Sequence, residues 1–279
     1  MNRYKSRIAA ITGAGSGIGA ELARALARAG CHLALSDIRE DALDAVVQEA
    51  RTYGVNCSAH VVDVANRQAV EQYARDAKST HGAVHMIFNN AGVALADYVE
   101  SHSYDDFEHL MNINFWGVVY GTKSFLPLLR EVDEAHVINI SSVFGLGALP
   151  SQAAYNASKF AVRGFTESLK MELAGTHIGV SSVHPGGIKT NIVRNGKISE
   201  KSMRMSKQGF EKHFDRIAMT TPQKAASVIL KGVAKKKRRI LVGADARFAD
   251  RIIRWFPGSY ERILRLEKPI HESWLNTEK

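Results

Sequence analysis

The sequence predicts an α/β fold, a doubly wound parallel sheet of about seven strands with helices on both faces. Two observations carry the prediction. Short apolar runs alternate with longer helix-favouring segments along the 279 residues, and that alternation implies crossover connections between parallel strands. Glycine and polar clusters then recur just after the apolar runs, at the strand ends where open parallel sheets bind ligands.

Each element follows in order. Residues 8–11 form an apolar run ending in Thr12-Gly13. Residues 20–29 favour helix and close on Gly30, suited to the left-handed position past a helix end. A second strand at 32–36 ends at Asp37, and a helix at 40–53 is followed by Gly54. A third strand at 58–62 leads into Asp63-Val64, then a helix at 67–80. A fourth strand at 84–88 ends in Asn89-Asn90-Ala91-Gly92. One long helix is expected over 104–129. A fifth strand at 136–140 precedes a helix at 153–174. A sixth strand at 180–183 ends in His184-Pro185-Gly186-Gly187. Thr221-Pro222 opens another helix, with Thr as cap and Pro in the first turn. Residues 240–243 read as the seventh strand. With no repeat or linker, one domain is expected over 1–279, with a core of about 5–245, a lid of about 190–220 and a helical tail at 245–279.

Composition narrows the class. Hydrophobic residues are 45% and charged residues 23%, ordinary for a soluble globular protein. The net charge of +9 leaves nucleic acid, an anionic membrane surface or an anionic ligand in play. Cys31 and Cys57 lack Cys-x-x-Cys spacing and read as reduced and buried. Neither a secretory segment nor a membrane-spanning run of about 18 residues is found, so a cytoplasmic location is expected. The histidines lack metal-ligand spacing, and His184 reads as structural.

Chemistry enters with Tyr155 and Lys159. Four residues apart on a helix, they share a face. A nearby ammonium favours a phenolate, so the Tyr155 pKa is expected to fall toward neutral and allow proton exchange with a substrate oxygen. At the first strand end, Gly13, Ser16, Gly17, Ile18 and Gly19 form a turn that lets backbone approach a pyrophosphate at a helix N-terminus. Asp37 ends the second strand, where a carboxylate bonds an adenosine ribose. A 2′-phosphate there would meet a like charge, so NAD is favoured over NADP, although Arg39 could hold a phosphate. Asp63 and Val64 are expected to flank the adenine.

Six motifs in order now carry a resemblance. They are Thr12-Gly13-x-x-x-Gly17-x-Gly19, Asn89-Asn90-Ala91-Gly92, Asn114 within Asn-Ile-Asn-Phe-Trp-Gly, Ser142, Tyr155-x-x-x-Lys159, and Pro185-Gly186 with Thr190. Over about residues 5–245 the chain resembles a single-domain, Rossmann-type short-chain dehydrogenase/reductase. The resemblance implies Tyr155 as general acid/base, and Lys159 lowering its pKa and holding the nicotinamide ribose. It implies Ser142 on the substrate oxygen and Asn114 holding a water that links Lys159 to solvent. Asn90 and Ala91 would line the cofactor ribose, and Ile188 and Thr190 would contact the carboxamide. A mobile lid and a homodimer or homotetramer are implied in the same way.

Apolar loops near Leu95, at 143–146 and at Ile192-Val193 are expected to face a hydrophobic secondary alcohol or its ketone. The alternative is a non-catalytic dinucleotide sensor or nucleic-acid-binding scaffold using the basic run 235–239. Retention of Tyr155, Lys159 and Ser142 favours the enzyme. The basic run reads as a solvated helix end complementing the dipole, so no nucleic acid partner is expected. In the tail, Phe248, Ile252, Ile253 and Phe256 share one helical face and Arg247, Arg251 and Arg254 another. Such a helix can cover the pocket, join subunits or lie peripherally on a membrane.

Overall fold

The computed structural model describes residues 2–194, 196–200 and 206–264. Its strands are β1 (Ile8–Thr12), β2 (His32–Asp37), β3 (Cys57–Val61), β4 (Met86–Asn89), β5 (Leu95–Ala96), β6 (Ala135–Ile140), β7 (Ile178–Pro185), β8 (Lys197–Ile198) and β9 (Arg239–Val242). Seven of them form a parallel sheet in the order β3-β2-β1-β4-β6-β7-β9, while β5 pairs with β8 apart from it. The order reverses between β1 and β4, which opens the crevice where doubly wound sheets bind ligands.

The helices are α1 (Gly17–Arg28), α2 (Glu40–Arg51), α3 (Arg67–His81), α4 (Tyr104–Met111), α5 (Gly117–Leu129), α6 (Ala153–Glu172), α7 (Lys207–Ile217), α8 (Pro222–Ala234), α9 (Ala244–Trp255) and α10 (Tyr260–Ile263). Strand side chains alternate between two cores, as a period of two requires. Ala9, Ile11, Leu33 and Leu35 pack with Leu22, Leu26 and Ile229 on one face. Ala10 and Ala34 pack with Val70, Tyr73, Phe125 and Leu169 on the other. Burial on both faces explains why β1 reads as an unbroken apolar run.

Three features depart from the expected elements. The helix expected over 104–129 is interrupted by a π-turn at Asn112–Trp116, an extra residue per turn that hydropathy patterning does not register. The small β5·β8 pair is too short for a period. Within the expected lid, residues 207–217 form α7, capped by Ser206, whose hydroxyl accepts from Gly209 N–H at 3.1 Å. Two local expectations are met, at Thr221 and at the cysteines. Thr221 caps α8 by accepting from Lys224 N–H at 3.2 Å. Cys31 and Cys57 are buried and unpaired. In the basic run, Lys236 pairs with Glu134 at 2.7 Å and Arg239 pairs with Asp250. Among the described residues no helix is long and apolar enough to cross a membrane, and no His/Cys/Asp/Glu group could hold a metal ion. Of the expected tail, residues 265–279 lie outside the described residues.

Candidate active site

One cleft of about 810 Å³ runs along the sheet's carboxyl edge. Gly13, Ser16, Gly17, Ile18, Asp37, Asp63, Val64, Asn90, Ala91, Ile188 and Thr190 line it together with Ser142, Tyr155 and Lys159. Gly19 and Asn114 stand behind the lining.

The glycine turn is closed by backbone contact. Gly13 has φ +65°, and a side-chain carbon there would fall 2.8 Å from Ala91 Cα. A carbon on Gly19 would fall 2.1 Å from the Gly13 carbonyl oxygen. Asn90 Nδ2 donates to the Thr12 and Gly13 carbonyls at 2.9 and 3.1 Å. The Thr12 hydroxyl accepts from the N–H groups of Asn90 and Ala91 at 3.0 and 3.1 Å. The Asn90 amide nitrogen is therefore committed to the turn, and what it can offer a ribose is Oδ1. Ser16, at the N-cap of α1, makes no side-chain cap bond. The N–H groups of the first turn of α1 remain available to an anion.

Asp37 is 7% exposed. Its Oδ2 accepts from Gly15 N–H at 2.9 Å and its Oδ1 from Arg39 N–H at 3.0 Å. The Arg39 guanidinium stands 3.6 Å from Oδ1 and donates to Ser16 Oγ at 2.9 Å. The two charges that pull opposite ways over a 2′-phosphate thus occupy one corner.

Tyr155 and Lys159 lie in the first turns of α6, both buried. Lys159 Nζ sits 5.6 Å from the Tyr155 ring centroid and donates to the Ile140 carbonyl at 3.2 Å. Burial pushes the Tyr155 phenol up to about 12, against the pull of a hydrogen bond from Ser142. Burial also lowers the Lys159 ammonium to about 8. This corrects the expected fall of the Tyr155 pKa toward neutral. In the protein by itself desolvation decides the direction, while the Lys159 ammonium lies over the ring and bonds a carbonyl.

Ser142 is held from both sides. Its hydroxyl accepts from Phe144 N–H at 3.1 Å. Its carbonyl contacts His184 Nδ1 at 3.0 Å, while His184 Nε2 meets the Ser182 hydroxyl at 2.9 Å. A carbonyl only accepts, so Nδ1 carries the hydrogen, and burial pushes the imidazole down to about 4, leaving it neutral.

Asn114 is fully buried in the π-turn. Its Oδ1 accepts from Val93 N–H at 2.8 Å, and its Nδ2 donates to the Val93 carbonyl at 3.0 Å and to Ser158 Oγ at 3.2 Å. Asn112 is exposed. A carbon on Gly92 would lie 3.1 Å from Asn114 Oδ1 and 3.5 Å from Lys159 Nζ, so the space beside that glycine joins the two residues.

Several supporting residues were not singled out from sequence. Asn156 is buried beside Tyr155 and donates to the Phe144 and Gly147 carbonyls, each at 3.0 Å. Asp245 accepts from Gly187 N–H at 2.6 Å. The Tyr260 hydroxyl accepts from Ala148 N–H at 3.0 Å. Asn156 lies inside the motif that drew attention to Tyr155, but Asp245 and Tyr260 sit in stretches without a motif.

The far half of the cleft is apolar. Val143, Phe144, Ile192 and Val193 line it as expected, joined by Phe210, Phe214 and Ile217 from α7. Leu95 and Leu146 do not line it. Leu95 turns inward to pack with Leu110, Ala154 and Tyr155, and Leu146 is buried.

Comparison with known proteins agrees with this geometry. Residues 7–201 match the short chain dehydrogenase family. A protein of Mycobacterium tuberculosis named as an oxidoreductase, SadH, is 43% identical over 267 residues, covering 95% of this chain and 96% of that protein. A crystal structure of a short-chain dehydrogenase/reductase from Burkholderia phymatum in complex with NAD superposes with a TM-score of 0.85 at 28% identity, covering 96% of this chain and 98% of that one. Levodione reductase superposes with a TM-score of 0.78 at 26% identity, covering 88% of this chain and 99% of that one.

Proposed function

The chain belongs to the short-chain dehydrogenase/reductase family, and on that premise we propose that it interconverts a hydrophobic secondary alcohol and its ketone with a nicotinamide dinucleotide, NAD in preference to NADP. The observation that carries the reading is the meeting of Ser142, Tyr155 and Lys159 where the glycine-lined half of the cleft joins its apolar half.

The residues suit the cofactor. The glycine turn leaves room only for backbone, the first turn of α1 offers free N–H groups, and Asp37 faces the same end of the cleft. The bound dinucleotide supplies the hydride acceptor or donor. Lys159 commits one N–H to Ile140 and keeps two for ribose hydroxyls. Ser142 accepts from Phe144 and bonds Tyr155; with substrate bound its hydrogen would turn to the substrate oxygen and steady the charge there as hydride moves. Tyr155 Oη gives a proton to the ketone oxygen or takes one from the alcohol. Burial keeps it protonated in the protein by itself, and alcohol oxidation needs added positive charge beside it. Asn114 would keep a water against Lys159 for proton exit. Ile188 and Thr190 would contact the carboxamide, and residues 190–220 would close over the substrate.

A homo-oligomer belongs to this reading. Trp116 and Phe160, 44% and 41% exposed, lie on the π-turn and on α6, where ring contacts link Trp116 to Phe115 and Phe115 to Phe165. A cytoplasmic location fits the two unpaired cysteines.

The test follows reduced-cofactor absorbance with NAD or NADP and a panel of hydrophobic secondary alcohols. Tyr155→Phe is expected to lower kcat about a thousandfold with dinucleotide affinity kept. Equal turnover in the variant would overturn the reading.

A further inference from the structure

The C-terminal helices α9 and α10 have two sides that do different things. The inner side packs on the catalytic half: a carbon on Gly147 would fall 2.6 Å from Ile253 Cδ1, Tyr260 accepts from Ala148 N–H, and buried Asp250 pairs with Arg239. The outer side carries large apolar side chains that stay exposed. Trp255 is 74% and Phe248 59% exposed, and Phe256 and Ile263 are exposed beside them. At 100° per residue, Phe248, Ile252 and Trp255 form one stripe and Arg247, Arg251 and Arg254 a second, about a quarter-turn away. All three arginines are exposed. Among the described residues of this segment no acid is exposed: Asp250 is buried, and Asp245 and Glu261 are half-buried.

From this division we infer that the outer face of α9 and α10 docks on an anionic lipid bilayer. Aromatic side chains flanked by arginines are the chemistry of a helix lying in the headgroup plane, apolar stripe down and cations against phosphate. Charge complementarity decides the occupant. An antiparallel two-fold pairing of this face with a second copy would set six arginines on one flank with no exposed acid among the described residues of this segment, whereas an anionic surface neutralises them. Docking here would also bring the bilayer next to the Ser142–Leu149 loop, which Ile253 and Tyr260 hold in place.

The test is sedimentation of the full-length protein with vesicles of mixed phosphatidylglycerol and phosphatidylcholine, against phosphatidylcholine alone. Wild type is expected to partition onto the anionic vesicles and to come off as salt rises. Each Arg→Ala change at 247, 251 or 254 is expected to weaken binding about fivefold, and all three together about a hundredfold. The Phe248→Ser/Trp255→Ser double variant is expected to release the protein as well. Unchanged dinucleotide binding certifies that each variant is folded, and vesicle binding is read without turnover, so this inference and the redox reading fail separately. Wild type that stays in the supernatant overturns the proposal. So does vesicle binding that survives the triple change, or a double variant that alters oligomeric state but not vesicle partition.

Discussion

The two halves of the cleft are built by opposite means. The glycine-lined half, which we read as the dinucleotide site, is made of backbone: Gly13, Gly19 and the first turn of α1 come from one eight-residue stretch, fixed by main-chain contacts and by Asn90. The half proposed to be catalytic is assembled from distant segments, with Ser142 set by His184, the 144–149 loop by Asn156 and Tyr260, and the Pro185-Gly186-Gly187 turn by Asp245. A backbone cradle tolerates side-chain change around it but not a Cβ within it. A side-chain assembly can be retuned one contact at a time.

Perturbing the side-chain half most deeply should give the largest effect. Lys159→Met is expected to abolish measurable turnover yet stabilise the fold at neutral pH. The buried ammonium has its pKa lowered from 10.5 to about 8, so below pH 8 the folded protein carries the full cost of burying it, about 3 kcal/mol. Between about pH 8 and 10.5 the unfolded chain binds more protons than the folded one, and wild-type stability rises with pH. Thermal melts of both proteins across that window check it; a wild type that loses ground to the variant as pH rises would contradict the sign.

Next comes Ser142→Ala, expected to cost about a hundredfold in kcat with little change in dinucleotide affinity. The backbone half should answer differently. Asp37→Ala is expected to leave kcat near wild type and shift the NAD/NADP preference about tenfold toward NADP, since a like charge is removed while Arg39 remains. The ratio of kcat/KM for the two cofactors reads it directly, and an unchanged ratio would remove Asp37 from the ribose. The smallest effect belongs to Tyr260→Phe. Losing one hydrogen bond to Ala148 N–H should raise the alcohol KM a few-fold without touching kcat, which steady-state kinetics with a bulky and a small alcohol would resolve.

This division also governs what was legible in the sequence. The parallel sheet and the cofactor turn were readable because strand burial on both faces and a glycine cradle are local necessities. That Tyr155, Lys159 and Ser142 share one cleft is legible in their spacing and the family motifs. The direction of the Tyr155 shift is not legible, because helix spacing reports proximity to Lys159 but not how much water both groups lose. The loop around Leu95 does face the cleft through Val93, Ala94 and Ala96, but apolar character near a strand end does not say which way each side chain turns, and Leu95 itself turns inward. Asp245 and Tyr260 were invisible because their partners, Gly187 and Ala148, lie 58 and 112 residues away in sequence. The expected single apolar face of the tail proved to be split, with Ile253 turned inward and Phe248 outward.

The π-turn at Asn112–Trp116 makes the helix it interrupts a kind of vernier. Excising a single amino acid there would restore ordinary winding but swing one half about 100° against the other. Leu110 and Phe125, both now in the interior, could no longer face inward together, and the Asn114 carboxamide would lose its grip on Val93. The surplus residue is what lets one continuous rod serve two packing surfaces that are out of phase.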